Sequence, residues 1–337
     1  MSLSKHSVAR ASSLPWRGFQ EVFALLLMLG IIVLVMSQLS PAFMTGRNLS
    51  NLLLDATTVG IIAVFSTMLM ISGGLDLSVA STVALCGVVI GVLQEPLGLP
   101  LAVLVSFATG TLVGLINGFV VTYVGINPLI ATLGMLSIAR GLAFVFANGL
   151  TIPVFDLTGE QQTSYATFAK LSEGRFLGLA YPVWIMLLLF VIGFIVLRQT
   201  SYGRAMYAIG GNEEASRLAA LPVKRYRMWA YTLSGSSAAL AAILLTSRLY
   251  AADPKAAPSV ELTVITAIVL GGTSLAGGQG SLVGTFLGVF VLGTLLNGLN
   301  LQSVSTEFQN IAQGLVLLLA VGIDQLRQGN IRFRRKT

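Results

Sequence analysis

The sequence predicts an all-α membrane protein, a polytopic bundle of about ten transmembrane helices with broken or re-entrant segments. Two long runs, 96–139 and 262–306, contain no Asp, Glu, Lys, Arg or His. Lipid tolerates such runs, whereas a water-soluble fold would have to bury them completely. Hydrophobic residues make up 55% of the chain and charged residues 10%, whereas soluble domains carry about 25% charged residues. The chain is therefore predicted to cross a membrane many times.

Ten apolar stretches are the predicted spans, at about residues 22–39, 52–71, 77–93, 100–124, 128–148, 179–197, 228–247, 262–280 with breaks, 282–299 and 308–323. In the last stretch, the apolar run 311–323 is too short to cross about 30 Å of hydrocarbon at roughly 1.5 Å per residue. It spans only if its helix begins at residues 306–308. The predicted division of the chain is a cytoplasmic tail over 1–20, one transmembrane domain over 21–325 and a basic cytoplasmic tail over 326–337.

The distribution of basic residues predicts the orientation of the bundle. If ten spans alternate, fourteen of the twenty Lys and Arg residues share one side with both termini, five lie on the other side, and Arg140 lies inside a span. Basic residues near span ends stay in the cytoplasm. Both termini are therefore predicted to be cytoplasmic, and the net charge of +7 is attributed to the membrane surface. The expected surroundings are a lipid bilayer and no nucleic acid.

The sequence also argues against several classes of protein. The only cysteine, Cys86, excludes a disulfide framework, and the only histidine, His6, excludes a histidine-based metal site. No phosphate-binding G-x-x-x-x-G-K-[S/T] loop, zinc-ligand spacing or G-x-S-x-G motif occurs. No catalytic residue, metal or cofactor is predicted, and movement driven by another protein fits better than catalysis.

Two polar segments are long enough to have a function of their own. The segment 150–178, predicted to be external, is either a solvated connector or a docking surface for an extracytoplasmic partner. In the internal segment 198–227, two glycines allow a sharp turn, Asn212 can cap a helix, and the next two residues are acidic, which suits a first helical turn. Ala215, Leu218, Ala219 and Leu221 then fall on one face of a short predicted helix, and Pro222 closes the segment. This amphipathic helix either lies on lipid or, as we prefer, inserts its apolar stripe into a groove of a soluble protein.

Glycine-rich sequence interrupts two of the apolar regions. Residues 72–78 form either a tight turn in which Asp76 caps the next helix, or non-helical backbone at membrane depth. Residues 271–281 contain five glycines in eleven positions and no charge, which predicts a broken or re-entrant helix close to another backbone. The residues assigned to these segments are Gly73, Gly74, Asp76, Gly271, Gly272, Gly277 and Gly278.

Polar residues inside the spans are candidates for a solute path. Asn117 and Asn297 occur in the matching contexts L-I-N-G and L-L-N-G, five spans apart, which predicts an inverted repeat of the kind found in transporters. Either amide could instead join two helices, at about 0.6–2 kcal/mol. Arg140 could line a cavity, pair with Asp76 or reach an interface. The residues expected along the path are Asn117, Asn127, Thr132, Asn297 and Asn300.

Several longer motifs resemble the permease subunits of bacterial monosaccharide ABC importers. They are S-G-G-L-D-L-S at 72–78, I-A-T-L-G at 130–134 with Arg140-Gly141, Y-A-I-G-G-N at 207–212, V-L-G-G-T-S-L-A-G-G at 269–278 and N-G-L-N-L at 297–301. The last of these, with Val304-Ser305, is most similar to the ribose-transporting members. The resemblance covers about residues 20–325, in the order of that family.

The resemblance implies a set of partners. They are a separate ABC ATPase subunit that hydrolyses ATP, a periplasmic sugar-binding protein, and a second permease copy in a homodimer or in a heterodimer with a close relative. It places the chain in the bacterial inner membrane as a sugar transporter that is not itself an enzyme. The segment that matches the ATPase-coupling region of the family contains Gly210, Gly211, Asn212, Glu213, Glu214, Arg217, Leu218 and Leu221.

The alternative function is a secondary transporter of a small polar solute that works alone. Such a protein needs ion-coupling groups at mid-membrane, and the sequence offers only Asp76 and Arg140 for that role. An intramembrane enzyme or channel is a third class, but the chain lacks a nucleophile–base pair and a repeated filter.

Overall fold

A computed structural model describes residues 16–155 and 162–327. The predicted tails, 1–20 and 326–337, lie largely outside the described residues, as do residues 156–161 of the predicted external loop.

The described part of the chain is almost entirely helical. Its α-helices are α1 (Trp16–Leu39), α2 (Gly46–Ile71), α3 (Val79–Leu97), α4 (Leu99–Phe119), α5 (Pro128–Phe146), α6 (Gln162–Glu173), α7 (Tyr181–Gln199), α8 (Ser201–Gly211), α9 (Glu213–Leu218), α10 (Val223–Leu249), α11 (Val260–Leu270), α12 (Leu282–Leu301) and α13 (Thr306–Arg327). A π-helical turn, Val120–Val124, extends α4. Four two-residue strands form two antiparallel pairs: β1 (Ile152–Pro153) with β4 (Ala251–Ala252), and β2 (Arg175–Phe176) with β3 (Leu179–Ala180).

Nine helices in the described ranges are long and apolar enough to cross a membrane: α1–α5, α7, α10, α12 and α13. The last of these begins at Thr306, so it meets the length condition set for the final span. The eighth predicted span, 262–280, is broken, as expected. Its helix α11 has 11 residues, about 16 Å at the usual rise, and residues 271–281 continue it as a non-helical glycine-rich loop.

The segments that link consecutive helices contact one another at two opposite ends of the bundle. At one end, called here the junction end, segments 72–78, 198–227 and 271–281 meet. At the opposite end, β1 pairs with β4, and Gln302 Nε2 donates to the Leu39 carbonyl at 2.9 Å. The connections along the chain alternate between these ends, so the short helix α11 runs from the opposite end towards the junction end.

Helix α10 is central and packs most closely against α4. Gly110, Gly114 and Gly118 are spaced four residues apart on α4 and face α10. A Cβ on Gly114 would lie 2.4 Å from the Tyr231 carbonyl oxygen, and one on Gly235 would lie 2.2 Å from the Gly110 carbonyl oxygen. Small residues at every fourth position bring the two backbones together, which is how helices associate in lipid without a hydrophobic driving force.

The peripheral helices leave most of their apolar surface uncovered. Only 11% of the spanning window of α1, 17% of that of α5 and 11% of that of α13 is buried. In a membrane protein such faces contact lipid or another subunit, because neither penalises exposed Leu and Ile side chains.

Candidate functional site

Three glycine pairs from distant parts of the sequence meet at the junction end: Gly73-Gly74, Gly210-Gly211 and Gly277-Gly278. We call this contact the glycine junction. A Cβ on Gly210 would lie 1.8 Å from the Ile71 carbonyl oxygen, and one on Gly278 would lie 2.8 Å from the Gly211 Cα. Each is too close for any side chain, so the backbones themselves are in contact.

Backbone conformation and hydrogen bonding hold the glycine junction together. Gly277 and Gly278 have φ of +86° and +74°, a left-handed geometry that favours glycine. The Gly278 N–H donates to the Ile71 carbonyl at 2.8 Å. The sequence predicted re-entrant and coupling glycines as separate groups, and the structure joins them.

The other predicted loop glycines have a different position. Gly271 packs against the start of α12, where a Cβ would lie 2.4 Å from the Gly284 carbonyl carbon. Gly272 has φ of +85° and turns the chain out of α11. These two residues therefore join α11 to α12 and lie outside the glycine junction.

The segment 198–227, which the sequence assigned to coupling with an ATPase subunit, contains the two short helices α8 and α9, and α9 ends earlier than the sequence predicted. Helix α8 continues through Gly210 and Gly211, and the expected turn falls at Asn212. The Asn212 side chain accepts from the Ala215 N–H at 2.9 Å, which confirms the predicted cap. Helix α9 ends at Leu218, because Ala220 adopts φ of +60° and breaks the helix before Leu221.

The exposed surface of α9 is partly apolar. Leu218 is 85% exposed, and Ala215 and Ala219 are exposed beside it. Leu221 turns inward and packs on the core of the bundle. The predicted apolar stripe therefore exists over three of its four residues, and it faces away from the described part of the chain.

Tyr207 joins α8 to the second glycine-rich loop. Its hydroxyl donates to the Gly280 carbonyl at 2.9 Å. Burial raises the pKa of the Tyr207 phenol, so the hydroxyl stays protonated and remains a donor at neutral pH. Loop 271–281 is therefore held by α8 through both a side chain and the glycine junction.

Glu213, the first residue of α9, lies between two arginines. One carboxylate oxygen is 2.9 Å from Arg217 Nη2, and the other is 2.9 Å from Arg227 Nη2. Partial burial acts to raise the pKa of Glu213, but the charges and hydrogen bonds of Arg227 and Arg217 outweigh it and lower that pKa overall. Arg227 was not predicted as a site residue, because nothing distinguishes it from the neighbouring basic residues Lys224 and Arg225.

Asp76 is buried and fully engaged in hydrogen bonds. Its Oδ1 accepts from the Ser78 N–H at 3.0 Å and the Ser78 hydroxyl at 2.7 Å. Its Oδ2 accepts from the Ser234 hydroxyl at 3.0 Å. The N-cap of α3 is Ser78, so Asp76 holds the turn before the helix and is not the capping residue. Arg140 is elsewhere, and its Nη1 donates to the Pro254 and Ala256 carbonyls at 2.8 and 3.1 Å at the opposite end.

The five residues predicted along the solute path lie in three places. Asn117 is buried beside Asp76, and its amide donates to the Ser78 hydroxyl at 2.9 Å. Asn127 caps α5 through the Leu129 N–H at 2.9 Å. Thr132, one turn later, is buried and donates to the Pro128 carbonyl at 2.8 Å.

Asn297 and Asn300 line one cavity near the opposite end. Asn297 exchanges two hydrogen bonds with Asn48, at 2.9 and 3.1 Å. The cavity has a volume of about 250 Å³ and is lined by Asp55, Ala56, Val59, Thr263, Val289, Gly293, Leu296, Asn297, Asn300 and Gln309. Its wall combines a carboxylate and several amides with aliphatic side chains, a composition typical of sites for small polar ligands.

Several known proteins that are similar to this chain are permease components of transport systems. Residues 48–321 match the family described as branched-chain amino acid transport system / permease component. The ribose import permease protein RbsC of Bacillus subtilis (strain 168) is 40% identical over 88% of this chain and 90% of its own length. RbsC of Escherichia coli (strain K12) is 40% identical over 90% of this chain and 93% of its own length. The L-arabinose ABC transporter permease protein AraH of Azospirillum brasilense is 38% identical over 90% of this chain and 87% of its own length.

No solved structure matched the chain. The family match covers most of the sequence, and the curated relatives align with it almost from end to end. The membrane bundle and its glycine junction are thus features of a transport-system permease, and the chain belongs to this family of permease components.

Proposed function

We propose that the chain is the membrane-spanning permease subunit of an ATP-driven ABC importer that carries a monosaccharide across the bacterial inner membrane. The sugar that we propose is ribose or a related pentose or hexose. The observation that carries this proposal is the 40% identity to ribose import permeases over about nine-tenths of both chains. In this arrangement both termini face the cytoplasm, on the side of the junction end.

The proposed complex contains a separate ATPase subunit, a periplasmic sugar-binding protein and a second permease copy. The exposed Leu218 on α9 supports docking to the ATPase subunit, because an exposed apolar side chain on a short helix can insert into a groove of a soluble protein. The largely uncovered α1, α5 and α13 offer surfaces for a second permease copy.

We further propose that the sugar passes through the cavity lined by Asn297 and Asn300. Amide and carboxylate groups match the paired donors and acceptors of sugar hydroxyls, and they line a cavity of about 250 Å³. The Asn117 amide already contacts Asp76 and Ser78, so any contact it makes with substrate would have to displace a buried partner.

The function is tested by reconstituting the chain with its ATPase subunit and binding protein in liposomes. We expect ribose or arabinose with the binding protein to stimulate ATP hydrolysis, and sugar to accumulate only when ATP is present. An amino acid mixture serves as the control ligand. Uphill uptake by the chain alone under a proton gradient would overturn the proposal and favour the secondary transporter.

The docking of α9 is tested by the same substitution at the two ends of the bundle. Leu218→Asp places a charge on the proposed contact, whereas Leu177→Asp places it on a residue that is 77% exposed in the 173–180 connection. We expect only the α9 variant to lose co-purification with the ATPase subunit. Equal co-purification of both variants would show that the ATPase subunit docks elsewhere.

A further inference from the structure

Helix α10 holds the first glycine-rich loop at three successive points on one face. Arg227 Nη2 donates to the Ser72 carbonyl at 3.0 Å. The Tyr231 hydroxyl contacts the Leu75 carbonyl at 3.2 Å and the Leu75 N–H at 3.4 Å. Ser234 then binds Asp76 at 3.0 Å. The three α10 residues are spaced i, i+4 and i+7, so they form one stripe along the helix.

Arg227 is the member of this stripe that also reaches the coupling segment. The same Nη2 atom that binds the Ser72 carbonyl lies 2.9 Å from the Glu213 carboxylate of α9. The Arg227 side chain is only 15% exposed, so water screens this contact less than it screens a surface pair. One guanidinium therefore links α9, α10 and loop 72–78.

Arg217 provides an internal comparison. It forms an ion pair of the same length, 2.9 Å, with the same glutamate, but its side chain is 67% exposed and lies one turn along α9 itself. Within the described residues, the hydrogen bond of Arg217 stays inside α9, whereas Arg227 on α10 contacts both Glu213 of α9 and the Ser72 carbonyl. The two arginines thus share an acceptor and differ in what they connect.

Loop 72–78 has few other means of holding its position relative to α9. Gly73 and Gly74 carry no side chains, and Ser72 turns back to bond its own helix through the Leu69 carbonyl at 2.7 Å. Its other anchors are Tyr231 and Ser234 of α10 and Asn117 of α4, and none of them belongs to α9. A displacement of α9 therefore reaches this loop through the glycine junction and through Arg227.

We propose that Arg227 is a positioning residue that transmits movement of α9 to loop 72–78 and onward to Asp76 and Asn117. The inference rests on the proposed coupling role of α9. The last residue of the stripe, Ser234, binds Asp76, whose Oδ1 lies 3.4 Å from the Asn117 amide nitrogen. The same path therefore connects α9 to buried polar groups between α3, α4 and α10.

The first test uses the purified chain and does not depend on transport. Hydrogen exchange of residues 72–78 is compared in the wild type, Arg227→Gln, Glu213→Ala and Arg217→Gln. We expect faster exchange in Arg227→Gln, a smaller increase in Glu213→Ala and no change in Arg217→Gln. Unchanged exchange in Arg227→Gln would overturn the proposed link between α9 and the loop.

The second test uses the assembled complex. In Arg227→Gln we expect unchanged association with the ATPase subunit and unchanged basal hydrolysis, but stimulation by sugar-loaded binding protein reduced by about fivefold or more, the lower range of a coupling free energy. Arg227→Lys, which keeps the charge on a shorter side chain, should restore part of the stimulation.

The outcomes separate the two proposals. If the wild-type complex shows no stimulation by sugar, the proposed function fails whatever the exchange data show. If the wild type is stimulated and Arg227→Gln is stimulated equally, the role of Arg227 fails. Loss of folded Arg227→Gln protein with normal Glu213→Ala coupling would also overturn it, because the arginine would then be structural.

Discussion

The two ends of the bundle are built from different contacts. At the junction end, backbones touch: a Cβ on Gly210 would lie 1.8 Å from the Ile71 carbonyl oxygen, and Gly278 donates directly to that same carbonyl. At the opposite end, side chains and short strands make the contacts, as in the reciprocal amide pair of Asn48 and Asn297 and the pairing of β1 with β4.

This difference has a mechanical consequence. Two backbones in van der Waals contact have no side-chain torsions between them, so a displacement of one moves the other. Amide pairs and ion pairs between side chains can lengthen or rotate through their torsions. The junction end is therefore suited to transmit movement, and the opposite end is suited to accommodate a ligand in a cavity.

The largest expected effect comes from adding one carbon atom to the glycine junction. Gly210→Ala would place a Cβ 1.8 Å from the Ile71 oxygen and 2.4 Å from the Gly278 nitrogen. Overpacking of this kind costs about 1–3 kcal/mol or more, so we expect a strong fall in folded yield and melting temperature, measured by size-exclusion chromatography after heating in detergent.

The neighbouring residue is the matched control. A Cβ on Gly211 would meet nothing within 4 Å, and Ala is favoured over Gly in a helix by about 0.5–1 kcal/mol. Gly211→Ala should therefore be as stable as wild type or slightly more stable. Equal losses in both variants would contradict the description of the junction as a direct backbone contact.

A smaller effect is expected from removing the buried carboxylate next to the junction. Asp76→Ala leaves donors on Ser78 and Ser234 without their acceptor, at about 1–3 kcal/mol. Asp55→Ala is the control, because its ion pair with Arg248 at 2.7 Å is largely exposed and such pairs contribute about 0–1 kcal/mol. If Asp55→Ala lowered the melting temperature more than Asp76→Ala, the expectation that the junction end contributes more to stability would be wrong.

The smallest effect on stability is expected at the cavity. Asn297→Ala breaks the amide pair with Asn48, which is worth about 0.6–2 kcal/mol in a membrane. Asn300→Ala alters the same cavity wall at an exposed position and should leave the melting temperature unchanged. If the sugar passes through the cavity, both changes should raise the sugar concentration for half-maximal uptake, and wild-type uptake by both variants would place the path elsewhere.

Much of the fold follows from local sequence patterns. Uncharged apolar runs fixed the positions of the spans, the glycines of 271–281 predicted a broken crossing, and Asn212 followed by two acidic residues predicted a helix start. Each of these signals lies within a few residues, where side-chain hydrophobicity and backbone preference act directly.

The candidate site was less predictable. Helix α8 was missed, because the pattern was interpreted as a turn at the glycine pair, and α9 ends before the predicted Leu221. Arg227 was missed as well, because its acceptor at Ser72 lies 155 residues away in the sequence. The same applies to the four-residue glycine spacing on α4, whose partner surface on α10 is more than 100 residues distant.

The sequence by itself determined that the chain crosses a membrane about ten times and where its backbone is interrupted, since both depend on local hydrophobicity and on glycine conformation. Only the tertiary structure decided that the three glycine pairs meet and that one arginine joins α9 to loop 72–78. Contacts between distant segments depend on how the helices pack, and helices in lipid associate through close steric fit and a few hydrogen bonds, which no local pattern encodes.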